Sequence, residues 1–348
     1  MDYKNLVISE NETISDALEK LNLIRDVSRL ILFVSKDNGE IIGSLTDGDI
    51  RRSLAKDKDL FKKVGEICFR GFVYKYKTEG FIELRSIREQ NIIILPILNN
   101  DKTLNKIIDL DKIKSVVPVE CMIMAGGRGK RLSPLTDSIP KPMLTLGEKP
   151  IIEYNIDRLI AFGIKKIYIS VKYLGKQIED YFGDGSSKGI EIEYIWEERA
   201  LGTAGALSLV DKFESNQVLL MNSDLFTNVN IEEMYLKLIA ENADMVVAST
   251  EYKIDVPYAV FESSDYRVNA FKEKPTYIYH SNAGVYLFNK DLISKIPKNK
   301  YYDITDLMDE IVSTGGKLLH NPIRGYWIDI GKPIDYKNAQ EFVKHINK

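Results

Sequence analysis

In the stretch ECMIMAGGRGKRLSPLTDSIPKPM, Glu120 to Met143, an apolar run breaks abruptly into glycine. Glu120–Ala125 reads as a buried strand. Gly126, Gly127 and Gly129 follow at once, then Lys130 and Arg131, and Lys141 stands between Pro140 and Pro142. Glycine tolerates positive φ and lets backbone N–H groups approach an anion closely. Arg131 and Lys141 add fixed positive charge, and the two prolines stiffen the chain that aims Lys141. The spacing is not that of a P-loop, which requires Ser or Thr after Gly-Lys. It also lacks the last glycine of a dinucleotide fingerprint. A basic, glycine-rich loop between a strand and a helix is therefore expected, and it can be a phosphate cradle or an ordinary turn.

Downstream, strands alternate with helices. PIIEYNIDRLIAFG (150–163) predicts a helix with Pro150 in its first turn, IKKIYISV and EIEYIW two strands, and GTAGALSLV a helix. QVLLMNSD predicts a strand, NIEEMYLKLIAENA a helix and DMVVAST a strand. This alternation predicts an α/β fold with a doubly wound, mostly parallel, Rossmann-like sheet. Such sheets bind ligands at the carboxyl ends of their strands.

Upstream, a helix–strand–strand–helix order is read twice within residues 1–117. TISDALEKLNLI opens with Thr13 as N-cap and Asp16 three residues on. RLILFVS and IIGSL flank the turn KDNGE, and TDGDIRRSLA starts a helix. KVGEI, the helical GFIELRSIREQ, the strand NIIILPIL, the turn NNDKT and LNKIIDLDKIKS then repeat the order. Pro118 marks the junction. The repeat resembles a tandem pair of CBS domains, a smaller α+β unit. The resemblance rests on IIGSLTDGDIRRSL, where Gly43, Thr46 and Asp49 match a pattern that ends a strand and opens a helix. It implies that Thr46 and Asp49 hold a regulatory nucleotide. Thr46 is equally suited to act as an N-cap in a pair that only packs or dimerises. The second copy has Asp109 and Lys112 at those places.

Composition narrows the function classes. With 48 basic against 51 acidic residues and a net charge of -3, nucleic acid is not an expected partner. Two cysteines, Cys68 and Cys121, make no disulfide framework and suit a reducing compartment. The opening MDYKNLVISENE has no signal-peptide pattern, and the longest apolar runs are too short to cross a bilayer. A cytoplasmic protein without membrane contact is expected. His280, His320 and His345 fall in no metal-ligand spacing and read as structural or solvated. Asp224 and Asp329 each follow an apolar strand run, so both can sit at the carboxyl edge of one sheet, where a pair of carboxylates can hold Mg²⁺ and either one alone reads as a turn or cap carboxylate.

The whole of MAGGRGKRLSPLTDSIPKPML resembles the signature of sugar-1-phosphate nucleotidyltransferases. ALGTAGAL, MNSDLF, FKEKP, SNAGVYLF and GYWIDIGKPIDY resemble further segments of that family in chain order, over residues 119–348. The resemblance implies a catalytic domain in which Ala125, Gly126, Gly127, Gly129 and Arg131 hold the triphosphate, with Gly202 and Thr203 near the base. Lys141 would lie between the phosphates, acting with Arg131 and Asp224 in catalysis, and Asp224 and Asp329 would hold Mg²⁺. Tyr258, Glu273, Lys274 and Asn282 would contact the sugar phosphate. Ala259 stands where relatives often carry glycine, and Lys332 where threonine is common. A CBS pair ahead of such a domain resembles bacterial enzymes that make GDP-sugars for surface glycans, including GDP-glucosamine on the legionaminic acid route. GTP is thus the expected donor, with glucosamine 1-phosphate as first acceptor and mannose 1-phosphate as second, in a homo-oligomer. UTP, CTP or dTTP use is the alternative, and a catalytically silent nucleotide-sensing protein is a further one.

Overall fold

The computed structural model describes residues 3–25, 27–78 and 84–346. The chain divides into two compact units, Met1–Val116 and Val117–Lys348.

The first unit contains two three-stranded sheets. In one, β1 (Val7–Ser9), β2 (Ile31–Ser35) and β3 (Ile41–Thr46) accompany α1 (Ile14–Leu23) and α2 (Asp47–Asp57). β2 is central, parallel to β1 and antiparallel to β3. Thr13 and Asp16 close a capping box on α1, and Ile14, Ala17 and Leu21 are buried on one face. Gly39 makes the β2–β3 turn possible, at φ +85°. In the other sheet, β4 (Lys75–Tyr76), β5 (Ile94–Leu98) and β6 (Leu104–Asp109) repeat the pattern, with β5 central. The helix α3 spans Leu84–Arg88; the expected start at Gly80–Glu83 lies outside the described residues. After β6 the described chain turns without forming a counterpart of α2. Asp109 explains the difference: its carboxylate accepts from the backbone of Asp111 at 3.1 Å and closes a tight local turn.

In the second unit β7 (Val119–Met124) leads into the glycine loop. A two-residue ladder, β8 (Thr145–Leu146) with β9 (Lys149–Pro150), precedes α4 (Ile151–Ala161). Then come β10 (Lys166–Val171), α5 (Gly175–Phe182), β11 (Glu191–Trp196), β12 (Gln217–Asn222), β13 (Leu225–Thr227) and α6 (Ile231–Ala240). β14 (Met245–Asp255), β15 (Val260–Ser264), β16 (Arg267–Lys272) and β17 (Thr276–Asn289) follow. α7 (Ile304–Ser313), β18 (Leu318–Pro322), β19 (Trp327–Asp329) and α8 (Pro333–Ile346) complete the unit. The main sheet has the order β11-β10-β7-β12-β17-β14-β18. β17 runs against both neighbours, and the other pairings are parallel. This is the mixed, mostly parallel sheet expected. Met122, Val218, Leu220, Val247 and Phe288 fill its core with Leu207, Ile304 and Leu307.

Three local expectations differ. The glycine loop is followed not by an α-helix but by 3₁₀ turns at Lys130–Leu132 and Lys141–Met143. Pro134, Pro140 and Pro142 fall within this stretch and deprive it of amide donors, which disfavours continuous helix. GTAGALSLV forms only a 3₁₀ turn, Gly205–Leu209. A Cβ on Gly205 would come within 2.6 Å of the Lys300 carbonyl, so close backbone packing rather than helix propensity shapes it. Pro150 stands at the N-cap of α4, one place before the expected first turn.

Candidate active site

The carboxyl ends of β7, β11 and β12 border an open cleft of ≈ 460 Å³. One wall is the glycine loop. Ala125 is buried, and its amide donates to the Ser170 carbonyl at 2.8 Å, tying the loop to β10. Of the three glycines only Gly129 has positive φ, +63°. Gly126 is required for close approach instead: a Cβ there would lie 2.7 Å from Oε1 of Glu197. A Cβ on Gly127 would meet nothing within 4 Å, so its bareness leaves room in the cleft. Lys130, Arg131 and Lys141 line the same cleft.

The opposite wall is the turn Leu201–Thr203. Gly202 has φ +77°, and a Cβ there would meet the Tyr302 carbonyl at 2.7 Å. Asp303, at the N-cap of α7, accepts from the Thr203 amide at 2.9 Å and from its hydroxyl at 3.1 Å, and also from the Tyr301 hydroxyl at 2.8 Å. Burial alone would raise the Asp303 pKa, but these hydrogen bonds hold it below its ordinary value. The turn is thus fixed by a helix terminus 100 residues away in sequence.

The floor carries the charged cluster. Lys141, 8 % exposed, donates to Asp224 in a short ion pair. Asp224 directly precedes β13, whose Leu225 is the ladder partner of Asp329 on β19. The Ile330 amide donates to the Asp224 carbonyl at 3.1 Å. The two aspartates are therefore neighbours, with Asp329 on the small β13–β19 ladder and Asp224 in the link between β12 of the main sheet and β13. Burial, and then the Asp224 charge, push the Asp329 pKa above its ordinary value, while Lys141 and Arg131 act the other way. A Cβ built on Gly331 would lie 3.5 Å from both Arg131 Nη1 and Asp329 Oδ2, so the guanidinium and the carboxylate both lie beside that glycine. Among the described residues no group of three or more His, Cys, Asp or Glu side chains forms a metal-ligand cluster. An oxygen-only pair of adjacent carboxylates fits Mg²⁺, which takes few protein ligands and completes its shell with water and phosphate oxygens.

Glu197 was not singled out by the sequence reading. It is 8 % exposed and lines the cleft just beyond β11. The Ser170 hydroxyl donates to its Oε1 in a short bond, and the Leu201 amide to its Oε2 at 3.0 Å. The available signal was an acid directly after the strand EIEYIW and four residues before Leu201. The family model for nucleotidyl transferases matches residues 120–346, and a CBS domain model matches residues 1–56.

The chain belongs to the nucleotidyl transferase family. Its relatives include the D-glycero-α-D-manno-heptose 1-phosphate guanylyltransferase of Aneurinibacillus thermoaerophilus, 33 % identical over 65 % of this chain and 99 % of that protein. They also include the mannose-1-phosphate guanylyltransferase of Mycobacterium tuberculosis, 30 % identical over 66 % of each chain. The UTP–glucose-1-phosphate uridylyltransferase of Synechocystis is 29 % identical over 64 % of this chain and 62 % of its own length. The chain thus spans just under two thirds of the last two. A Bacillus anthracis structure described as a glucose-1-phosphate thymidylyltransferase shares the fold, at TM-score 0.54 and 24 % identity over 66 % of this chain and 97 % of its own.

Not every expected residue of the transferase meets the cleft. Tyr258, Glu273 and Lys274 are exposed, on or beside a two-stranded ribbon formed by the outer halves of β14 and β17 and the β15–β16 hairpin. None of them, nor Asn282, lines the cleft as described. Asn282 is also exposed, and its Oδ1 accepts from the Gly284 amide at 2.9 Å. Ala259 lies on the same exposed segment, and Lys332 is exposed just before α8. In the first unit, Asp49 accepts from the Thr46 amide at 2.8 Å and from its hydroxyl at 2.6 Å, so the two residues close the start of α2. No described helix is long and apolar enough to cross a membrane.

Proposed function

We propose that the protein transfers a nucleotidyl group from a nucleoside triphosphate to a sugar 1-phosphate, releasing pyrophosphate. The observation that carries this reading is the convergence of the glycine loop, Arg131, Lys141 and the Asp224–Asp329 pair on one cleft. A phosphate oxygen of the acceptor forms a bond to the α-phosphorus as the bond to the pyrophosphate oxygen breaks. The nucleophile is already anionic at neutral pH, so no general base is needed. What the site must supply is orientation and positive charge. Backbone amides of Gly126–Gly129 and the Arg131 guanidinium face the phosphate chain, and Lys141 neutralises charge that develops between donor and acceptor. Mg²⁺, held by Asp224 and Asp329, adds charge neutralisation when bound. Tyr258, Glu273, Lys274 and Asn282 are assigned to the acceptor.

Glu197 supports GTP as the donor. An ionised carboxylate only accepts hydrogen bonds, and guanine offers N1–H and N2–H donors on one edge. Glucosamine 1-phosphate is the first acceptor proposed and mannose 1-phosphate the second, in a homo-oligomeric enzyme that supplies GDP-sugars for surface glycans. Residues 1–117 are proposed as a tandem CBS pair with a nucleotide at Thr46 and Asp49. The test is pyrophosphate release with each of the five common nucleoside triphosphates against a panel of sugar 1-phosphates. Release with GTP and a hexose 1-phosphate is expected; no release in any combination refutes the activity.

A further inference from the structure

The family resemblance places Lys141 among phosphates, yet its ammonium group rests on Asp224, one of the two carboxylates assigned to the metal. Lys141 is buried and Asp224 largely so, with side-chain exposures of 11 % and 22 %. The charges acting on the partner carboxylate Asp329 are, in falling order, Asp224, Lys141, Arg131 and then Asp335. Lys141 and Arg131 thus stand beside the two carboxylates, and one Asp224 oxygen is covered by an ammonium. A divalent cation entering that cluster meets two positive charges and loses access to Asp224 Oδ2. Between largely buried side chains, like-charge repulsion of this kind is screened less than at an exposed surface.

We infer that Lys141 is a latch on the metal site: it holds Asp224 until a triphosphate enters. The phosphate chain then draws the ammonium away, frees Asp224, and brings the negative charge that makes cation binding favourable. Metal and nucleotide affinities are coupled through one side chain, and coupling of this kind is reciprocal. Lys141 acts here as a positioning residue for the metal, apart from any contact it makes with substrate. The inference rests on the reading of Asp224 and Asp329 as metal carboxylates.

The test uses full-length, metal-stripped protein titrated with Mn²⁺ alone, with free Mn²⁺ read by electron paramagnetic resonance. Lys141→Gln is expected to bind Mn²⁺ at least tenfold more tightly than wild type without nucleotide. Lys141→Arg, which keeps the charge, stays with wild type, and adding Asp224→Asn to Lys141→Gln abolishes the gain. Lys141→Met, which keeps the buried stem, replaces the glutamine variant should that variant fail to fold by circular dichroism. Equal Mn²⁺ affinity in wild type and the neutral variants overturns the latch. A parallel arm adds GTP and follows water-proton relaxation, which reports Mn²⁺ held on the protein. Enhancement there with equal nucleotide-free affinities overturns the latch alone. Absence of enhancement in every protein overturns the metal reading and the latch with it.

Discussion

Glu197, the residue proposed to select the base, is a buried side chain held by hydrogen bonds from two other segments. Its two carboxylate oxygens are pinned by Ser170 and by the Leu201 amide, and Gly126 is bare where any side chain would strike it. The carboxylate is therefore held in one orientation by two separate segments, and a third leaves it room. Its remaining acceptor capacity matches a base edge with two donors. Glu197→Gln keeps shape but replaces an acceptor with an N–H₂ donor. The expected result is a loss of about 1–3 kcal/mol of discrimination, roughly ten- to hundredfold in the ratio of kcat/KM for GTP over UTP. An unchanged ratio contradicts the assignment of base selection to this residue.

Loops and strand ends, more than the helices, shape the cleft. The 3₁₀ turns after Gly129 and at Gly205–Leu209 stand where helices were expected: prolines disfavour helix in the first, and close backbone packing at Gly205 shapes the second. Elsewhere periodicity and caps were enough: the Thr13–Asp16 box and the buried face of α1 were legible from spacing alone. The sheet's outer region behaves differently. Beyond the irregularity at Val247/Ser249, β14 and β17 continue as a two-stranded ribbon. At its root His280 and His320 face each other with ring centres 4.6 Å apart, and Ser249 Oγ lies 2.9 Å from His320 Nδ1. Partial desolvation first, then the proximity of His280 and Lys237, lowers the pKa of the largely exposed His320 below its ordinary value. The folded state therefore prefers the neutral ring. As pH falls through about 6.5 the unfolded chain takes up a proton that the folded chain does not, and stability drops until the folded ring also protonates. The melting temperature is expected to fall between pH 7.5 and 5.5, and less steeply in His320→Asn. Parallel slopes in the two proteins contradict this.

Across the chain, the sheet and the glycine-rich, basic wall of the cleft were readable because alternating strands and helices, glycines and basic residues are local patterns. Glu197 and the Asp303 clamp on Thr203 were not, because each joins segments that only the fold brings together. The position of Asp329 was legible only in part: its strand was evident, but not the separate ladder that sets it beside Asp224. Likewise, the family resemblance assigned Glu273 and Lys274 to the acceptor, while the fold sets them on an exposed segment that does not line the cleft as described. The central claim is a chemical one: the bond broken lies between the α- and β-phosphorus, and the α-phosphate passes to the sugar phosphate. It is tested most directly with GTP labelled in turn at the α- and γ-phosphorus, incubated with Mg²⁺ and glucosamine or mannose 1-phosphate. The account predicts α-label in the nucleotide-sugar and γ-label in pyrophosphate. Release of γ-label as inorganic phosphate, or retention of all label in GTP with every acceptor, contradicts it.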